Sequence, residues 1–165
     1  MAEVIFLVGL PGSGKSTYAG RLAKSGYKVF SSDAFREATG ITNNAVVFKN
    51  LCRSIKQAVR DGHDCVLDAT NLVADKRIDM ILKIEETGAN ITCDVFTTPA
   101  DVCKERNRRR TNTHGVTDEV IDKMLSFYEP PKRCEGFSEI RVHRYDKGSS
   151  LKAWPLQGGK NNGKY

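Results

Sequence analysis

Apolar residues along the chain alternate between short continuous runs and stretches with helical spacing. The first run, Val4 to Val8, is apolar throughout, as expected of a parallel strand that is buried on both faces. Farther along, Val47, Ile55 and Val59 recur at intervals of eight and four residues, which places them on one helix face. This pattern predicts strands at 4–8, 27–30, 65–67, 90–96 and 140–143, and helices at 16–24, 43–60, 72–87, 99–109 and 117–127.

The alternation of strands and helices predicts an α/β fold with a central parallel sheet and helices on both faces. Residues 1–145 are expected to form one domain. From residue 146 onward the chain is rich in Gly, Lys, Asn and Ser without periodicity, which predicts a flexible basic tail over 146–165. In parallel sheets ligands bind beyond the carboxyl ends of the strands, so residues that follow strands are the candidates for function.

Directly after the first strand, residues 9–17 read GLPGSGKST and match the pattern G-x-x-x-x-G-K-[ST]. In such a loop, backbone N–H groups surround a phosphate, the lysine contacts the β- and γ-phosphates and the next hydroxyl ligates Mg²⁺. The alternative is a glycine-rich turn that ends in Lys-Ser by chance, which the flanking strand and helix disfavour. The loop therefore predicts binding of a nucleoside triphosphate such as ATP, with Mg²⁺. The residues assigned to the nucleotide are Gly9, Gly12, Ser13, Gly14, Lys15, Ser16 and Thr17, and Ser16 is also assigned to the metal.

A second candidate group follows the second predicted strand, where Asp33 begins a helical stretch and Arg36 lies one turn farther on the same side. A carboxylate there can accept the proton of an attacking hydroxyl, and the guanidinium can hold an anionic part of the acceptor. The same residues also suit a structural role. Asp is a favoured helix N-cap, and an Asp–Arg pair at i,i+3 is common on helix surfaces. The residues alone leave both roles open.

The third predicted strand ends at Asp68, and Thr70 and Asn71 follow it. An acidic residue that closes a strand beside a phosphate-binding loop is the expected partner of the bound Mg²⁺. The alternative is that Asp68 and Asn71 cap the following helix. The buried apolar strand before Asp68 favours the metal role.

Residues 106–110 read RNRRR and end the helix predicted at 99–109, before the polar loop 111–115. A run of basic residues is usually a solvated face. Arg106 and Arg110 are four residues apart, however, so they share one helix face and are expected to point towards the phosphates. There they would neutralise charge that develops on the transferred phosphoryl group.

Composition and charge narrow the classes of protein. The net charge of +6 suits a polyanionic partner such as nucleic acid, although part of the excess lies in the tail. The five cysteines are scattered and form no C-x-x-C pair, which favours reduced thiols in a cytoplasmic compartment over a disulfide framework or a zinc site. No apolar run approaches the roughly 20 residues of a membrane helix, and the apolar start is too short for a secretory signal.

In this order and at these separations, the four motifs resemble the kinase domain of bacteriophage polynucleotide 5′-hydroxyl kinases, over residues 1–127. The shared pattern joins G-x-P-G-S-G-K-S-T, Asp33-x-x-Arg36, a strand ending in (D/S)-x-T-N and the lid R-N-x-x-R from Arg106 to Arg110. The chain departs from the family once, because the acidic residue of the third motif corresponds to Ala69, whereas the carboxylate here is Asp68. The resemblance implies a three-layer P-loop NTPase/kinase fold with a small helical lid.

The resemblance also implies a role for each matching residue. Asp33 is the general base on the 5′-hydroxyl, and Arg36 grips the 3′-phosphate of the acceptor nucleotide. Arg110, with Arg106, contacts ATP and the transition state. Lys15 and Ser16 hold the phosphates and Mg²⁺, Asp68 is the metal-side carboxylate, and Thr70 and Asn71 are assigned to the substrate.

The leading hypothesis is therefore an ATP-dependent polynucleotide kinase whose partners are the 5′-OH ends of DNA or RNA. One alternative is a kinase for a nucleoside, sugar or antibiotic hydroxyl, since the same Asp base serves any alcohol. Another is a non-catalytic NTP-dependent switch, which would leave the Asp33–Arg36 pair without a purpose. A basic path leading away from Asp33 and salt-sensitive binding would distinguish a polynucleotide acceptor from a small molecule.

Overall fold

A five-stranded parallel sheet organises the computed structural model, which describes residues 1–110 and 115–145. The strands are β1 (Glu3–Val8), β2 (Lys28–Ser31), β3 (Cys65–Asp68), β4 (Asn90–Phe96) and β5 (Glu139–His143). The helices are α1 (Lys15–Lys24), α2 (Ser32–Thr39), α3 (Asn44–Arg60), α4 (Ala74–Glu85), α5 (Ala100–Arg108) and α6 (Asp118–Ser126), and a 3₁₀ turn covers Arg133–Glu135. The strand order is β2-β3-β1-β4-β5, with every neighbouring pair parallel.

The central strand β1 explains the three layers. Val4, Phe6 and Val8 face one hydrophobic cluster, which they share with buried residues of α3 and α4. Ile5 and Leu7 face the opposite cluster, which they share with α1. Because successive side chains of a strand point to opposite faces, an all-apolar strand needs helices on both sides. The predicted α/β sandwich is confirmed.

The predicted elements agree with the structure to within one or two residues, with the largest offset at the helix predicted over 72–87. This helix, α4, runs only from Ala74 to Glu85. Asn71 has a left-handed backbone, with φ of 48°, and Val73 is extended. The chain therefore needs residues 71–73 to turn from the end of β3 before a helix can start.

All strands end at the same edge of the sheet, because all run in the same direction. The register pairs Ser31 at the end of β2 with Asp68 at the end of β3, and β1 lies directly beside β3. The three candidate motifs at 9–17, 33–36 and 68–71 therefore share this edge. The predicted tail 146–165 and most of the loop 111–115 lie outside the described residues. Among the residues described, no helix is both long and apolar enough to cross a membrane.

Candidate active site

The loop between β1 and α1 holds its lysine inside the protein. Lys15 is only 7% exposed, and its Nζ donates a 2.8 Å hydrogen bond to the carbonyl oxygen of Leu10. The Oγ of Ser13 lies 3.5 Å from the same ammonium group. Burial lowers the pKa of Lys15 to about 8, although the carboxylate of Asp68 opposes this shift. The Lys15 ammonium group thus lies on the inner side of the loop, where it can contact a bound phosphate.

Backbone crowding explains why this loop is rich in glycine. A Cβ on Gly9 would lie 2.7 Å from the Oγ of Ser13. Gly12 has φ of 82°, and a Cβ there would lie 2.6 Å from the carbonyl oxygen of Cys103 in α5. Gly14 also has a positive φ, of 105°, at the N-cap of α1. These conformations favour glycine, and they bring the first turn of α1, with its free N–H groups, to the sheet edge.

Ser16 and Asp68 form the second feature of the loop. The hydroxyl of Ser16 donates a 2.9 Å hydrogen bond to Oδ2 of Asp68, which is 7% exposed. Burial raises the pKa of Asp68, while the bond from Ser16 and the charge of Lys15 oppose the shift. Mg²⁺ in phosphoryl-transfer sites is usually held by one or two protein oxygens together with waters and substrate phosphates. This hydroxyl and carboxylate fit that ion. Thr17, the next residue of α1, is exposed.

The residues after Asp68 support the loop rather than cap the next helix. Val73, without a side-chain hydrogen bond, is the N-cap of α4, so the capping alternative for Asp68 and Asn71 is wrong. The amide of Asn71 instead donates a 2.8 Å hydrogen bond to the carbonyl oxygen of Leu7 in β1. The carbonyl oxygen of Thr70 accepts the N–H of Gly9, and Thr70 also lines the cleft described below.

Asp33 and Arg36 lie across the cleft at the start of α2. Arg36 Nη1 donates a 3.1 Å hydrogen bond to Oδ1 of Asp33, and its Nη2 donates a 2.7 Å bond to Oδ1 of Asn44 in α3. Ser31 is the N-cap of α2, because its Oγ accepts the N–H of Ala34. The N-cap alternative for Asp33 is therefore wrong, whereas the i,i+3 ion pair is present. The Asp33 side chain is 70% exposed and can be reached by a substrate.

The arginine run divides into two groups. Arg106 Nη1 donates a 3.3 Å hydrogen bond to the carbonyl oxygen of Gly12, and its guanidinium lies 5.4 Å from the ring centre of Tyr145. Arg110 lines the cleft and lies close enough to lower the pKa of both Lys15 and Asp68. By contrast, the neighbouring Arg108 and Arg109 are exposed and pair with the carboxylates of Asp118 and Glu105. Arg106 and Arg110 thus both lie near the loop, but not on one helix face as predicted, because α5 ends at Arg108.

A buried ion pair behind the cleft was not found by sequence reasoning. Arg77 is 1% exposed and donates hydrogen bonds of 2.7 and 2.8 Å to the two carboxylate oxygens of Glu135. Its third bond, 2.9 Å long, goes to the carbonyl oxygen of Asn71. Arg77 thereby fixes the turn that carries Thr70 and follows Asp68. The partners are 58 residues apart, and no local pattern marks a pair at that separation.

The phosphate-binding loop and the Asp33–Arg36 pair line the same cleft, which has a volume of about 630 Å³. One wall carries Lys15, Ser16 and Asp68, and another carries Asp33 and Arg36. The charges of Asp33 and Asp68 both raise the pKa of Lys15, against the larger effect of its burial. A phosphate donor on the loop and an acceptor at Asp33 can therefore bind next to each other in this cleft.

A parallel sheet of this order, with a GKS loop entering the first helix at the carboxyl edge of its central strand, defines the P-loop kinase fold. The sequence model of the family described as AAA domain matches residues 4–131. The chain belongs to this family, which implies binding of a nucleotide.

Known proteins are similar to this chain over different shares of their own length. Transcription factor bHLH140 of Arabidopsis thaliana is 33% identical in an alignment of 144 residues that covers 83% of this chain but only 15% of that protein. A chain of the Pnkp1/Rnl/Hen1 complex is 26% identical, with a TM-score of 0.57 over 68% of this chain and 40% of its own. A gluconokinase from Sinorhizobium meliloti is 19% identical, with a TM-score of 0.60 over 88% of this chain and 83% of its own. The likeness to the gluconokinase shows the fold alone. The chain spans less than half of each of the first two proteins.

Proposed function

We propose that the protein is an ATP-dependent polynucleotide 5′-hydroxyl kinase. The observation that carries this proposal is the shared cleft, in which the exposed carboxylate of Asp33 faces the loop that holds Lys15. A non-catalytic switch needs the loop but no carboxylate opposite it. The Arg36 guanidinium beside that carboxylate adds a site for an acceptor that carries a phosphate near its reacting hydroxyl.

The reaction joins the acceptor oxygen to the γ-phosphorus and breaks the bond between that phosphorus and the oxygen bridging it to the β-phosphate. ADP leaves, and the hydroxyl proton passes to the Asp33 carboxylate. Lys15 and Arg110 neutralise charge on the phosphates, and the backbone N–H groups at the start of α1 fix their position. Ser16 and Asp68 would hold Mg²⁺, which would further neutralise the phosphate oxygens when bound.

Asp33 and Arg36 would each recognise a different group of the acceptor. Asn44 holds Nη2 of Arg36 at 2.7 Å, so the guanidinium keeps its orientation even if a substrate displaces Asp33 from Nη1. An acceptor with a 3′-phosphate could then bind Arg36 while its 5′-hydroxyl reaches Asp33. This arrangement favours a nucleotide over an uncharged alcohol.

The test measures transfer of the γ-phosphate from labelled ATP with Mg²⁺ to a panel of acceptors. The panel contains a 5′-OH DNA oligomer, a 5′-OH RNA oligomer, a 3′-mononucleotide, free nucleosides and gluconate. We expect label on the oligomer 5′ ends and on the 3′-mononucleotide. Asp33→Asn should lower kcat by about 10² to 10⁴-fold, the usual contribution of a general base, without a large change in ATP affinity.

The control is Asp79→Asn, which removes an exposed carboxylate that pairs with Lys83 on α4, away from the cleft. This variant should keep the wild-type rate. Label on nucleosides or gluconate but on no nucleic acid would replace the proposal with a small-molecule kinase. Tight ATP binding without transfer to any acceptor would favour the switch instead.

A further inference from the structure

Helix α3 carries a stripe of positive charge along its outer face. Its 17 residues include four cations and no carboxylate. The cations are spaced by four, three and four residues, so they follow one side of the helix, opposite the buried side chains of Val47, Leu51 and Ile55. At 1.5 Å per residue the ends of this cationic stripe are about 16 Å apart. The cationic stripe consists of Lys49, Arg53, Lys56 and Arg60.

The stripe is neutralised at one end only. Lys56 and Arg60, at the end away from the cleft, both pair with Glu86 after the last turn of α4. Lys49 and Arg53 are exposed, and neither forms an ion pair with another residue in the part of the chain that the structure describes. Like charges at i,i+4 destabilise a helix slightly. Ion pairing among the described residues therefore does not account for these two cations.

The unpaired end of the stripe adjoins the acceptor side of the cleft. Asn44, the first residue of α3, accepts the hydrogen bond from Arg36. Phe48, one turn farther, also lines the cleft. Lys49 follows Phe48 and lies about 100° farther around the helix, and Arg53 lies one turn beyond Lys49. A chain that leaves Arg36 across the start of α3 therefore meets two unpaired cations in succession.

We propose that an acceptor strand continues from the cleft along α3, with its backbone phosphates at Lys49 and Arg53. This inference rests on the proposed function and extends it. Arg36 serves the phosphate of the terminal nucleotide, whereas the stripe serves the phosphates farther along the strand. Contacts of this kind release counterions, so they strengthen binding of oligomers over mononucleotides and make it sensitive to salt.

The experiment compares KM and kcat for a 3′-mononucleotide and for 5′-OH oligomers of increasing length, at about 50 and 200 mM salt. The test variant is Lys49→Ala/Arg53→Ala. The matched control is Arg21→Ala/Lys24→Ala, which removes two exposed cations from the last turn of α1, at the opposite edge of the sheet. Both doubles lower the net charge equally, so a general effect of charge appears in both.

We expect the test variant to raise KM for the longer oligomers by about tenfold at physiological salt and to flatten the salt dependence, because each lost phosphate contact removes about 0.7 to 0.9 from the slope. Its kcat and its KM for the mononucleotide should stay at wild-type values, as should every constant of the control. An unchanged oligomer KM, or an equal rise in both doubles, would overturn the path along α3 and leave the kinase activity standing. A wild-type protein that labels no nucleic acid would remove both proposals together.

Discussion

The two sides of the cleft are built in opposite ways. We call the wall with the phosphate-binding loop and Asp68 the donor side, and the wall with Asp33 and Arg36 the acceptor side. On the donor side, Lys15 and Asp68 are each 7% exposed and form hydrogen bonds within the protein. On the acceptor side, the Asp33 carboxylate is 70% exposed and its partner Arg36 is 29% exposed. The donor side sits on β1 and β3 near the middle of the sheet, whereas the acceptor side follows the edge strand β2.

This difference matches the demands of the two proposed substrates. A triphosphate presents the same phosphate groups whatever the acceptor is, so backbone groups and buried side chains can form a fixed site for it. An acceptor must enter and displace water or an ion pair, and an exposed pair is worth only about 0–1 kcal/mol, so opening it costs little. The buried Arg77–Glu135 pair extends the rigid side, because it holds the turn after Asp68 from behind.

The largest effect on stability is expected at this buried pair. Glu135→Ala leaves the Arg77 guanidinium buried without its carboxylate, which typically costs about 3–5 kcal/mol in the free energy of unfolding. Urea unfolding followed by circular dichroism measures this loss. The double variant Arg77→Met/Glu135→Leu should recover a large part of it, since replacing a buried pair by apolar residues is often neutral.

The matching change on the acceptor side is Asp33→Ala, which should alter the unfolding free energy by no more than about 1 kcal/mol, because an exposed pair contributes little. If Glu135→Ala and Asp33→Ala destabilised the protein equally, the contrast between a rigid donor side and an open acceptor side would be wrong.

A smaller effect, confined to the acceptor, is expected for Arg36→Ala. A hydrogen bond to a charged group contributes about 1.5–3 kcal/mol, so KM for acceptors with a 3′-phosphate should rise by roughly 10 to 100-fold. The KM for a nucleoside without that phosphate, and the affinity for ATP, should change little. Steady-state kinetics with both acceptors separates the cases. An equal loss on both would mean that Arg36 supports Asp33 rather than binding the phosphate.

Local features of the chain made most of the architecture predictable. The apolar run 4–8 marked the central strand, and the GKS loop after it identified the carboxyl edge as the binding edge. The spacing of Arg106 and Arg110 selected the two arginines that lie near the loop, but the shared helix face behind that prediction is wrong, because α5 ends at Arg108 and Arg110 lies beyond it. The i,i+3 pair of Asp33 and Arg36 followed from the same geometry.

Contacts between distant segments were beyond this reasoning. Ser31 is the N-cap of α2, so Asp33 is not. Which residue caps this helix depends on where the edge strand β2 ends, and the sequence of so short a strand does not show its end. Asn71 was assigned to the substrate, yet its amide binds the carbonyl oxygen of Leu7, 64 residues earlier. The Arg77–Glu135 pair likewise depends on the fold as a whole. In each case a polar group acquires its partner only when the sheet has assembled.

The sharpest probe of the donor side is the pH dependence set by Lys15. Its pKa is lowered from 10.5 to about 8 by burial, and only the protonated ammonium attracts phosphates. The affinity for ATP should therefore fall as the pH rises through about 8, by at most about tenfold per pH unit, since one proton is involved. Titration calorimetry between pH 7 and about 9.5 measures this fall, and Lys15→Met, which has no titrating amine, should bind weakly with no bend near pH 8.

Stability should respond to the same group in the opposite direction. Between about pH 8 and 10.5 the unfolded chain holds the Lys15 proton while the folded chain has lost it, so stability rises with pH in that window. The wild type should thus gain stability relative to Lys15→Met over the range in which it loses affinity for ATP. If both quantities fell together, the lysine would not be buried as the structure has it. The donor side would then be as open as the acceptor side.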